Sequence, residues 1–78
     1  MSKRSLYQVV GGNVQWLRKQ KHLTQFELSE ISGVDRSYLA KLECGRANPS
    51  IDTLCRLAEA LCVPVYNLLK CGLLITSR

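Results

Sequence analysis

The chain has 78 residues, of which 46% are hydrophobic and 22% charged, and carries a net charge of +5. That size fits one small domain burying only about 60–65% of its unfolded surface, and the composition excludes both a disordered chain and a membrane protein. No apolar run reaches the roughly 18 residues of a transmembrane helix. The basic start Met1-Ser2-Lys3-Arg4-Ser5-Leu6 leads into a stretch broken by Gln8 and Gly11-Gly12-Asn13, which does not fit a secretory signal. The expected location is the cytoplasm.

Leu6, Val10, Val14 and Leu17 recur at helical spacing, and Arg18, Lys19 and Lys21 follow where they suit the negative end of the dipole, which predicts a first helix over Leu6 to Gln20. Gly11-Gly12 weakens it by about 1 kcal/mol per glycine relative to alanine and marks a point where the helix would start or kink. His22 is expected to end this helix in solvent. The next helix has complete start chemistry: Thr24 as N-cap, Glu27 closing a capping box, and Leu23 stapled onto Leu28. It should run to Ser32, where Gly33 supplies the positive φ of a sharp turn. Asp35 caps a third helix, Val34 and Leu39 form its staple, and Gly45 is its stop. Ala47-Asn48-Pro49 is a loop. Ser50 then caps a fourth helix whose Leu54, Leu57, Ala58 and Leu61 make a core stripe. Pro64 opens a short fifth helix, Val65 to Lys70, ended by Gly72. The expected fold class is all-α, five helices on one core, and the second and third helices around Gly33 read as a helix-turn-helix.

The charge is uneven along this scheme. Lys3, Arg4, Arg18, Lys19 and Lys21 precede any acid, whereas from Glu27 onward six bases are matched by six acids. A basic excess in the N-terminal third suggests a polyanionic partner, without separating DNA from RNA or an acidic protein. Cys44, Cys55, Cys62 and Cys71 are spaced 11, 7 and 9 apart beside a single histidine, which speaks against zinc. Cys55 and Cys62 share a helix face by spacing and are expected to be small apolar core residues. No metal or cofactor site is expected.

On the third helix Leu39 and Leu42 face the core and leave Arg36, Ser37, Ala40, Lys41 and Cys44 outside. Arginine bonds guanine O6 and N7 bidentately and serine can bond a base or a phosphate, so Arg36 and Ser37 are the first choices for base reading, with Lys41 one turn on. Phosphate contacts are expected from Gln25 and Thr24 at the N-terminus of the second helix, from Arg46 and Asn48 in the loop past the third, and from Lys21.

Leu23-Thr24-Gln25, Glu27-Leu28, Gly33-Val34, Ser37-Tyr38-Leu39, Leu42-Glu43, Gly45, Asn48-Pro49-Ser50, Thr53-Leu54 and Leu57-Ala58-Glu59-Ala60-Leu61 together resemble the phage-repressor, or XRE-type, helix-turn-helix family over roughly Gly12 to Leu69. The resemblance implies a compact five-helix DNA-binding domain and a transcriptional regulator that binds double-stranded DNA as a homodimer on a two-fold symmetric operator. It implies Gln25 as a phosphate contact and Arg36, Ser37 and Lys41 as base readers. It also implies a structural salt bridge between Arg18 and Glu43. The run Val34 to Leu39 further resembles the controller proteins of restriction-modification systems, which activate and repress their own operon. Cys44 departs from the polar residue common at its position.

The tail offers more apolar residues than a fifth short helix needs, so residues 64–78 are expected to serve as a dimerisation element through Tyr66, Leu69, Leu73, Leu74 and Ile75. The alternative is that Leu73 to Ile75 fold back onto Trp16. An enzyme is not expected, since there is one histidine, no triad and no room for a ligand pocket of the usual size. No small-molecule effector is evident. The rival class is an antitoxin-like or protein-interaction module on a helix-turn-helix scaffold.

Overall fold

A computed structural model describes residues 3–71, with side chains from Leu6 onward. The described residues form five helices, α1 (Lys3–Gln20), α2 (Gln25–Ser32), α3 (Arg36–Glu43), α4 (Ile51–Leu61) and α5 (Tyr66–Leu69). No helix among the described residues is long and apolar enough to cross a membrane. The centre is built from Val14, Leu28, Leu39, Leu42, Leu57, Leu61 and Leu68, all essentially without solvent contact. One helix supplies only a few of these, so none could hold a core alone; α1 packs on α3 and α5, while α2 packs on α3 and α4.

The local start signals act as the sequence predicts. Thr24 accepts from the Glu27 amide at 3.0 Å while the Glu27 carboxylate accepts from the Thr24 amide at 2.8 Å, a complete capping box. Gly33 takes φ 77°, and the turn behind it is locked by the Ser29 hydroxyl donating to the Val34 carbonyl at 2.7 Å. Asp35 caps α3 by accepting from the Tyr38 amide at 3.2 Å, and Gly45 leaves it at φ 76°. Ser50 caps α4. His22, exposed at φ 57°, ends α1.

Four expectations need correction. Gly11-Gly12 neither starts nor breaks α1, which runs through them. The reason lies in α3: a Cβ on the buried Gly11 would overlap the Leu42 carbonyl oxygen, so the glycine lets α1 press against the end of α3. Leu6 is 40% exposed and outside the core, because the 18-residue α1 is more than twice the length of the 8-residue α3 and its first turns overhang. Cys55 and Cys62 are exposed. Cys55 stands about 100° around the helix from Leu54 in the stripe, and Cys62 has left the helix as a left-handed cap at φ 59°. Finally, α5 spans Tyr66–Leu69 and not Val65 to Lys70: Val65 is its N-cap and Lys70 already turns extended, while Gly72, expected to end it, lies outside the described residues.

Asn13 accounts for that stop. It is buried on α1, and its side-chain amide donates to the carbonyls of Leu68 at 2.9 Å and Lys70 at 3.0 Å. Carbonyls at a helix end have no partner within the helix. Here one side chain from 55 residues away satisfies the Leu68 carbonyl and fixes how the chain leaves α5.

Candidate nucleic-acid interface

With Leu39 and Leu42 committed to the core, α3 leaves Arg36, Ser37, Lys41 and Cys44 exposed and Ala40 half-buried. The N-terminus of α2 lies beside this face. Thr24, Gln25, Phe26, Arg36, Ser37 and Ala40 line one shallow groove, so the fold brings two of the predicted phosphate residues together with two of the predicted base readers. Lys41 sits further along α3, outside the groove lining. Arg46 and Asn48 are exposed in the following loop, which is drawn back onto α3 by the Arg46 amide donating to the Lys41 carbonyl at 2.9 Å. The Tyr38 hydroxyl donates to the Asn48 carbonyl at 3.1 Å and holds the far side of the same loop. Lys21 is exposed in the turn after α1.

The groove is braced from behind by one carboxylate. Arg18 meets Glu43 in a bidentate pair, Nε to Oε2 at 2.7 Å and Nη2 to Oε1 at 2.9 Å, while its Nη1 donates to the Leu23 carbonyl at 2.8 Å. Both side chains are buried, at 10% and 1% exposure. A buried charge is tolerable only when paired and hydrogen-bonded, and here each is. The hydrogen bonds to Glu43 raise the basicity of Arg18; burial opposes this and the charge of Glu43 adds to it. The acid on α3 thus points away from that helix's exposed face, and the pair joins α1, the α1–α2 turn and α3.

Gln25 also belongs to this cluster. Its Nε2 donates to Glu43 Oε1 at 3.0 Å, a contact the sequence did not disclose. One N–H of the amide is therefore engaged inward, and the carboxamide is held in a fixed orientation that leaves its other N–H and its carbonyl for an outside partner. Phe26, to which the sequence assigns no role, is 53% exposed in the groove. An aromatic next to Gln25 and off the α2 core position, Leu28, was the signal available.

On α5, Tyr66 is 64% exposed and Leu69 40% exposed. The other three residues expected at a dimer contact, Leu73, Leu74 and Ile75, lie outside the described residues.

Residues 14–66 match the helix-turn-helix family HTH_3, so the match runs from the middle of α1 to the start of α5. An HTH-type transcriptional regulator of Sinorhizobium fredii is 49% identical over 53 residues, covering 68% of this chain and 69% of that protein. The immunity repressor of Bacillus phage phi105 is 45% identical over 56 residues, 72% of this chain but only 39% of the repressor. Among solved structures, the restriction-modification controller protein C.AhdI from Aeromonas hydrophila superposes with a TM-score of 0.77 at 35% identity, covering 80% of this chain and 94% of that one. A family match over the whole helix-turn-helix, on a fold with the expected caps, turn and buried ion pair, identifies the chain as a member of the XRE-type helix-turn-helix family of DNA-binding transcriptional regulators.

Proposed function

We propose that residues 1–78 form a single DNA-binding domain that reads a specific double-stranded sequence and acts as a homodimer on a two-fold symmetric operator. The observation that carries this is the shared groove, in which Arg36 and Ser37 from α3 lie beside Thr24 and Gln25 from α2 while Glu43 is turned inward. In this division of labour Arg36, Ser37 and Lys41 read bases. Gln25, Thr24, Arg46, Asn48 and Lys21 contact phosphates and set the register. Residues 64–78 supply the dimer contact, supported by the exposed Tyr66 and Leu69, and pairing would set two α3 helices about 34 Å apart, one turn of DNA. The likeness to C.AhdI over 94% of that chain supports a controller that regulates its own restriction-modification operon.

Arg36→Ala should relax preference at one base pair per half-site at a cost of about 1–3 kcal/mol per contact, whereas Gln25→Ala should weaken specific and random duplexes alike. Titrations of both variants on a selected duplex and on bulk DNA across a salt series separate the two roles. Equal losses for Arg36→Ala on both DNAs would reassign the reader. No salt-dependent binding at all would favour a protein-interaction module, because phosphate contacts release counterions and give a steep slope. Sedimentation at micromolar concentration showing only monomer would count against the dimer.

A further inference from the structure

We propose that Phe26 is a base-reading residue that recognises the C5-methyl group of a thymine in each half-site; this rests on the DNA reading above and adds a specificity determinant to it. Phe26 is the second residue of α2 and is 53% exposed. Ile31 at 57% and Ile51 at 72% are exposed too, and single exposed apolar residues are ordinary on a folded protein. Phe26 differs in its company. It lines the groove shared by Arg36, Ser37 and Ala40, and the two isoleucines do not line it.

A phenyl ring in that position has a narrow choice of partner. Base edges in the major groove offer hydrogen-bond donors and acceptors, which a phenyl ring cannot match, and one apolar group, the thymine methyl. Burying the ring against that methyl removes apolar surface from water on both sides; placing it against O6, N7 or an amino group desolvates them without replacement. Ala40, half-buried in the same groove, adds a second apolar surface beside Arg36. The pairing of one arginine with an apolar strip predicts a half-site that combines a guanine with a nearby thymine.

The test uses the full chain and a randomised duplex pool. The site selected by the wild-type protein is resynthesised with each thymine replaced in turn by deoxyuracil, which pairs identically and lacks only the methyl. Replacing the recognised thymine in a single half-site should weaken wild-type binding about fourfold, the factor that corresponds to about 0.8 kcal/mol for one buried carbon. Phe26→Ala should bind the thymine and uracil duplexes equally, and Phe26→Leu should restore part of the discrimination; melting curves of both variants check that they remain folded. The proposal is overturned if Phe26→Ala keeps the wild-type ratio between the two duplexes, or if no thymine in the selected site is sensitive to loss of its methyl. Those outcomes leave the DNA reading intact, since the selected site still binds. Failure of the wild type to select any site would overturn both.

Discussion

The helix-turn-helix and the short helix α5 are held in place by opposite means. Within α2 and α3 every boundary has a nearby cause: Thr24 and Glu27 cap each other, Asp35 caps α3, and Gly33 makes the turn. In α5 there is no side-chain cap, the helix has 4 residues, and its end is set by Asn13 reaching over from α1. Helices of that length have no stability of their own in water. The contrast teaches that the DNA-facing unit carries its own folding instructions, whereas the segment leading to the expected dimer element is ordered by the rest of the molecule. Even the self-capped unit depends on α1 at one point, through Arg18 and Glu43.

That one point offers the largest way to break the contrast. Glu43→Ala leaves the Arg18 guanidinium buried without its partner and should cost about 3–5 kcal/mol in urea unfolding. The double variant Arg18→Met, Glu43→Leu should recover much of the loss. A single-variant loss below about 1 kcal/mol would mean that α2 and α3 hold together without α1. The second largest effect should be confined to the other region. Asn13→Ala withdraws the donor from two carbonyls and should cost about 1–3 kcal/mol, with amide exchange speeding in α5, including the Lys70 amide bonded to Tyr66, before it changes in α3. Uniform acceleration across all five helices would show that α5 is not separately anchored. Smallest is Thr24→Ala, which removes an exposed cap and should cost about 1 kcal/mol, seen as a modest fall in the urea midpoint with α5 exchange unaltered relative to global stability.

The same division explains what could be read in advance. The boundaries of α2, α3 and the start of α4 were legible because caps, staples and glycine turns act over three to five residues, distances at which sequence and space coincide. The Arg18–Glu43 pair spans 25 positions and came from family resemblance alone; the residues gave no local reason for it. Gln25 was legible as a surface polar group at a helix N-terminus, but its bond to Glu43, 18 positions away, was not. Phe26 was not legible as part of the site, because its place beside Arg36 and Ser37 joins α2 to α3 and no local pattern shows it. The cysteine expectation failed on phase for Cys55, since helical spacing does not say which face is buried, and on the helix boundary for Cys62, which stands past the end of α4.

By itself, then, the sequence determined an all-α chain with a capped helix-turn-helix and a polar outer face on its third helix, because those features follow from backbone chemistry over a few residues and from helical period. Tertiary structure alone decided that Gly11 is a packing contact and not a break, that Asn13 ends α5, that Gln25 is oriented by Glu43, and that Phe26 stands beside Arg36. Each of these joins residues on different helices. Their proximity depends on how the helices pack around Leu39, Leu57 and Leu61, which no local interaction specifies.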